Sequence, residues 1–550
     1  MKGSFFCGIV AIAVLPAACA ESCSRPGRGS LIEQPPEAVS VNGALTAVFS
    51  FRSDPTSYGF ARYCYVYRGD VQSPTLRVRP GDELTLTLQN DLPAGSAATP
   101  HIHSGRTMKR CSDKDMSGEV TNLHFHGLSV PPTCGQDDVL HTLIQPSKAF
   151  EYRVRIPKDQ PPGLYWYHPH PHGFSEPQVL GGASGALIVE GIERFHPEVA
   201  GLPERILILR DQKIPGAADS DEDMGPGKDI SLNFVPVVYP LYKPAEMSVP
   251  PAEREFWRVL NAAADTYFDL QLRYGPVIQD VNQPQTLQLI ALDGAPVGNA
   301  SGSQVEDILL PPGARAEFIA ATPPLGVFAQ LVTLPYDTGP DGAATPHRTI
   351  ANIRSSASAP AAPSRMPAAS IPSQGVQGLE SLRPARRRKL YFSEERPDLQ
   401  DPTQQPRYYI TLDGQTPKLF DMEFTKPDII ARQGTVEDWI IENRAREAHV
   451  FHIHQLHFQL LERNGRPVQD AAWRDTIDLP FWDGKSLPYP SVKLRMDFRS
   501  KEIAGTFVFH CHILEHEDGG MMGSIQVVPR GAGLSPRWSL LRQGVKKKRP

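Results

Sequence analysis

No stretch of the 550-residue sequence is apolar for long enough to cross a bilayer, which takes about 20 consecutive residues, so a transmembrane helix is excluded. There is no excess of either charge: 56 Lys and Arg against 61 Asp and Glu give a formal net charge of −5. Such a chain has no global field to draw nucleic acid or an anionic membrane surface, and neither is expected as a partner. Methionine is scarce, at ten residues, and forms no tract. Compositional extremes are absent too: 40% apolar and 21% charged residues exclude wholesale disorder and fibrous repeats. A single core rarely organises 550 residues, so two to four domains are expected. Proline is abundant instead, with 54 residues, nearly twice the usual share of about 5%. It disfavours long helices and suits short strands joined by turns, which predicts an all-β chain.

The N-terminus has the pattern of a cleaved signal peptide over residues 1–20: Lys2, an apolar run from Phe5 to Pro16, then Ala18-Cys19-Ala20 before Glu21. This predicts an extracytoplasmic protein, secreted or periplasmic. Pro16 disfavours lipid attachment at Cys19. Cleavage removes Cys7 and Cys19 and leaves five cysteines, Cys23, Cys64, Cys111, Cys134 and Cys511. In an oxidising compartment four can pair, and the fifth has another use. Spacing leaves open whether Cys64 or Cys111 pairs with Cys134.

Two elements recur. Arg79-Pro-Gly-Asp-Glu-Leu-Thr-Leu-Thr-Leu-Gln-Asn90 and Arg432-Gln-Gly-Thr-Val-Glu-Asp-Trp-Ile-Ile-Glu-Asn443 share Arg-x-Gly, a strand pattern, and Asn eleven residues after Arg. Later in each half come Gly163-Leu-Tyr-Trp-Tyr-His168-Pro-His170 and Gly505-Thr-Phe-Val-Phe-His510-Cys-His512, both aromatic-rich strands that end in His-x-His. A fainter copy, Arg254 to Asn261, lacks His-x-His and predicts a third β-domain without metal. The reading gives one domain over 45–195 and a metal-free one over 200–340. A Pro/Ala/Ser-rich linker over 341–400 then leads to a third domain over 401–530 and a basic tail over 531–550. The basic run Arg386 to Lys389 is read as the solvated end of that linker, and Lys546 to Arg549 as a solvated tail.

Twelve of the 17 histidines fall in four clusters: His124 and His126; His168, His170 and His172; His449, His452, His454 and His457; and His510, His512 and His516. Residues i and i+2 of a strand face the same way, so each His-x-His presents two imidazoles to one side. Four such pairs could converge eight nitrogens, enough for three ions of a metal that favours imidazole. Cys511 must face away from His510 and His512. With His449, His516 and a weakly bound Met521 it completes a His₂Cys set with an axial thioether, the ligand set of blue-copper electron-transfer sites.

On these motifs the sequence resembles the multicopper oxidases, laccase-like enzymes, over residues 45–530. The resemblance implies three consecutive cupredoxin-like Greek-key β-sandwich domains and four copper ions. It implies a type 1 copper held by His449, Cys511, His516 and Met521, and a type 2 copper held by His124 and His452. A type 3 pair would be held by His126, His168, His170, His454, His510 and His512, with His172 and His457 behind the ligands or at the surface. Glu517 and the Asp137-Asp138 pair are implied as proton donors. The implied reaction couples one-electron oxidation of a small reducing substrate, a phenol or aromatic amine, to four-electron reduction of dioxygen to water. The chain departs from the family between Asn90 and His124, where a polar insertion carries His101, His103 and Cys111; a loop pinned by Cys111 is expected there. Two alternatives stand beside this reading. One is a metallo-oxidase acting on Cu(I), Fe(II) or Mn(II), which the lack of a Met cluster disfavours. The other is a non-catalytic copper-binding or cupredoxin scaffold, which would be expected to have lost ligands; none is missing.

Overall fold

A computed structural model describes residues 23–55, 61–93, 111, 116–213, 228–238, 241–298, 303–364, 378–379, 381–396, 406–420, 426–469 and 472–531. The signal peptide, His101, His103, most of the 100–118 insertion and the tail beyond 531 lie outside these residues. The fold is all-β, built as three consecutive cupredoxin-like sandwiches. Among the described residues the two α-helices, Ser175–Leu180 and Leu514–Asp518, are each less than two turns long.

Each sandwich closes two sheets on its own core. Phe49, Leu86, Phe125 and Tyr167 lie in the first, Trp257, Phe268 and Phe318 in the second, and Trp439, Phe451, Leu494 and Phe509 in the third. The recurring Arg-to-Asn motif occupies one place in all three. Glu83–Asn90, Arg254–Asn261 and Val436–Asn443 each pair parallel with one strand and antiparallel with another. The motif ends in Asn because the side chain closes the following turn. Its Oδ1 accepts the amide two residues on (Leu92, Ala263 and Ala445, 2.9–3.0 Å), and its Nδ2 donates to the carbonyl of a distant segment, Ile144, Leu310 and Pro480 in turn. The middle sandwich therefore keeps the architecture and lacks the histidines.

Strand pairing brings the His motifs together. Gly163–His168 runs antiparallel to His124–His126, with His168 opposite His124. Gly505–Cys511 runs antiparallel to His449–Ile453, with His510 opposite His452 and Cys511 opposite Phe451.

Several expectations change. Glu37–Val39 already belongs to the first sandwich, ahead of residue 45. Arg386 to Lys389 is no linker end: it opens the strand Arg386–Glu395, which runs parallel to Val436–Asn443. Its charge is met across the sheet, where Arg388 pairs with Glu437 and Lys389 with Glu442, which composition alone could not reveal. Among the described residues the disulfides are Cys23–Cys64 and Cys111–Cys134, and Cys511 is the free cysteine. A Cys64–Cys134 bridge is thereby excluded, and Cys111 pins the insertion as expected.

Candidate metal centre

Eight histidines from the first and third sandwiches, His124, His126, His168, His170, His452, His454, His510 and His512, meet in one buried cluster. The His510 Nε2 lies 3.3 Å from His170 Nε2 and 3.2 Å from His454 Nε2. His126, His168 and His512 form a second group, with ring centroids 5.0–5.8 Å apart. The ring centroids of His124 and His452 lie 6.2 Å apart, with the planes tilted by 59°.

Hydrogen bonds turn one nitrogen of several rings outward and leave the other pointing in. His124 Nδ1 meets Asp137 at 3.0 Å, His168 Nδ1 donates to Pro169 O, His452 Nδ1 to Asp475 O and His510 Nδ1 to Cys511 O. The opposite nitrogens of His124, His168 and His452 are buried with no hydrogen-bond partner, as are His126 Nδ1, His454 Nδ1 and both nitrogens of His512. A buried nitrogen left unpaired costs about 1–3 kcal/mol, and so many converging lone pairs fit a set of metal ligands. Burial first, and then the neighbouring imidazoles, push His124, His126, His452, His454 and His512 well below the ordinary histidine pKa. Burial drives His168 and His170 in the same direction and takes His510 to about 3. The rings are neutral, the form that binds metal.

On the other face of the Gly505–Cys511 strand lies a second cluster. Cys511 Sγ is 3.7 Å from His449 Nδ1 and 3.6 Å from His516 Nδ1, and the two nitrogens are 3.0 Å apart. Met521 is fully buried in the core that holds Cys511, and its carbonyl accepts the Cys511 amide. Met522 turns the other way, against Val139 and Val508. This His₂Cys arrangement with a thioether in the same core suits copper. On its outer side His516 stacks on Tyr408, and its Nε2 lies 3.4 Å from Glu447 Oε1.

The three carboxylates singled out from the sequence part company. Glu517 lies between the clusters, with Oε1 3.1 Å from Ser175 Oγ and Oε2 3.3 Å from His510 Nδ1; burial raises its pKa well above the usual range. Asp137 accepts from the Phe125 amide and from Gln455 beside His124, and burial raises it to about 8. Asp138 turns instead to His141, 2.9 Å away and half exposed, so its place among the proton donors is withdrawn. His172 lies against Phe420, and His457 is buried and donates to Asp293 O.

Glu447, Gln455 and Asp475 were not foreseen. None lies in a repeated motif, and each reaches its partner only through the packing of distant segments.

A family profile described as multicopper oxidase matches residues 114–194, and a second of the same description matches 391–531. The chain is 26% identical over 474 residues to "Multicopper oxidase mco" of Staphylococcus haemolyticus, covering 84% of this chain and 83% of that protein. It is 23% identical over 505 residues to a laccase of Bacillus subtilis, covering 84% and 89%. A Campylobacter jejuni multicopper oxidase, described as a metallo-oxidase, superposes with a TM-score of 0.65 at 24% identity, covering 92% of this chain and 96% of that one. McoA of Aquifex aeolicus gives the same score at 20% identity, covering 91% and 99%. With both His-x-His pairs of each outer sandwich buried in one cluster and these likenesses spanning most of its length, the chain belongs to the multicopper oxidase family of copper-dependent oxidoreductases.

Proposed function

We propose a laccase-like oxidase with four coppers. His449, Cys511, His516 and Met521 hold the type 1 ion, and His124 and His452 hold the type 2 ion. His170, His454 and His510 hold one type 3 ion, and His126, His168 and His512 hold the other. The observation that carries this reading is the placement of Cys511: its sulfur belongs to one cluster while its two chain neighbours, His510 and His512, belong to the other. Bound copper supplies the one-electron chemistry that couples oxidation of a reducing donor to four-electron reduction of dioxygen to water.

The chain's own residues supply the rest. One peptide unit on either side of Cys511 joins the two sites covalently. Glu517 and Asp137, buried beside His510 and His124, are the groups placed to deliver protons. The closed core around the eight histidines keeps bulk water from the cluster. The three sandwiches support three domains, the first opening at Glu37–Val39, the middle one extending to the strand Arg348–Ser355 and the third opening at Arg386–Glu395, and the two disulfides support an extracytoplasmic location.

Phenols and aromatic amines are the proposed donors. The competing reading, a metal ion as donor, has Glu394 and Glu447 near His516 in its favour, but Arg396 pairs with both and offsets their charge. Steady-state kcat/KM of the copper-loaded protein decides between them. A preference of more than about tenfold for Cu(I), Fe(II) or Mn(II) over a substituted phenol, about 1.4 kcal/mol, would place the chain with the metallo-oxidases.

A further inference from the structure

The middle sandwich holds no His-x-His, yet it reaches the eight-histidine cluster through Pro311-Pro-Gly-Ala-Arg315. Arg315 is wholly buried and grips Asp475 of the third sandwich with both arms of its guanidinium, Nη1 to Oδ1 at 2.7 Å and Nη2 to Oδ2 at 2.6 Å. Its Nε donates to Leu164 O of the first sandwich. Asp293, on the middle sandwich, accepts the Arg315 amide and the amides of Asp475 and Thr476. One fork thus ties all three sandwiches together at the cluster.

Asp475 in turn meets two histidines that stack face to face, His126 and His452, with ring centroids 3.9 Å apart. It meets them by different atoms. Its carboxylate Oδ1 lies 3.1 Å from His126 Nε2, and its main-chain carbonyl lies 2.8 Å from His452 Nδ1. An acceptor fixes the proton on the nitrogen that faces it. His126 therefore carries hydrogen on Nε2 and keeps a lone pair on Nδ1, while His452 carries it on Nδ1 and keeps a lone pair on Nε2. Those two inward nitrogens are the ones that lack hydrogen-bond partners.

We infer that Arg315 and Asp475 are positioning residues that set opposite tautomers in the stacked pair His126 and His452, so that the copper-free middle domain prepares two ligands of the cluster. The inference rests on the reading of these histidines as copper ligands. Two glycines show how closely the device is fitted. A Cβ on Gly127, which follows His126 at φ +87°, would lie 2.6 Å from both Arg315 Nη2 and Asp475 Oδ2. A Cβ on Gly313 would lie 2.8 Å from His512 Nε2.

Asp475→Asn keeps the shape and the carbonyl to His452. Its carboxamide has one acceptor where two are needed: with oxygen in the Oδ1 place its NH₂ meets the Arg315 Nη2 donor, and with oxygen in the Oδ2 place its NH₂ faces His126 Nε2 and drives the hydrogen onto Nδ1. Arg315→Met removes the fork. In copper-loaded protein both variants should keep the blue absorption of wild type, which reports the intact third sandwich. They should lose copper from the histidine cluster to a chelator at least tenfold more readily. In copper-free wild type labelled with ¹⁵N-histidine, NMR should find His126 as the Nε2–H tautomer and His452 as the Nδ1–H tautomer. Equal copper retention in wild type and Asp475→Asn, loss of blue colour together with the cluster, or the same tautomer at both rings would each overturn the inference. A wild type that binds no copper would sink the ligand reading instead, and the tautomers would still decide the role of Asp475.

Discussion

His510 Nε2 lies 3.3 Å from His170 Nε2, although 340 residues separate them and they belong to the third and first sandwiches. The contact exists only when the first and third sandwiches are docked. Cys511, one residue on, turns its sulfur the other way, to His449 and His516. Adjacent residues of a strand face opposite sides, and here that alternation separates two side-chain clusters without separating them along the chain.

Cys511→Ser should remove the blue colour and the oxidase activity together, since thiolate-to-copper charge transfer needs the sulfur. A visible spectrum and an oxygen electrode check this; a variant that stays blue contradicts the type 1 assignment.

His512→Ala should behave in the opposite way, with blue absorption kept and oxygen uptake stopped. Loss of colour with normal oxygen uptake would show that the two faces of the strand do not serve separate sites.

Met521→Leu should retain copper and shift the type 1 potential upward, because a thioether tunes the ion more than it holds it. Met522→Leu should leave the potential alone, since that side chain packs against Val139 and Val508. Redox titration of both variants and the double variant tests the register.

Glu517→Gln should slow oxygen reduction by about 10²-fold or more, within the range for a lost general acid, while anaerobic bleaching of the blue colour by a donor proceeds as in wild type. Equal slowing of both half-reactions would assign Glu517 a structural role only.

In copper-free protein, Asp137 supplies a pH signature. Its pKa is raised to about 8 by burial, whereas the unfolded value is near 4. Between these values the folded chain holds the proton and the unfolded chain releases it, so this group's contribution to stability falls as pH rises, by at most about 1.4 kcal/mol per unit. Asp137→Asn does not titrate. The denaturation midpoint of wild type relative to Asp137→Asn should therefore drop from pH 5 to pH 7.5; a rise would contradict the buried-carboxyl account.

The two clusters were legible in the sequence because their information is local. A His-x-His on a strand and a Cys between two histidines carry their geometry in the two-residue period, and the repeated Arg-to-Asn motif carried the sandwich. Asp475, Glu447 and Arg315 were not legible. Arg315 meets Asp475 across 160 residues and Asp475 meets His126 across 349, so their roles are set by the docking of sandwiches. The basic run Arg386 to Lys389 misled for the same reason, its counter-charges lying on a strand about 50 residues later.

Electrons should enter at the Cys511 site and leave at the histidine cluster, four to each dioxygen. The most direct test is the ratio of a one-electron donor oxidised to dioxygen consumed by the copper-loaded protein, with hydrogen peroxide assayed in the same vessel. A ratio of about four with no peroxide is the expected result. A ratio of about two with peroxide accumulating would contradict it.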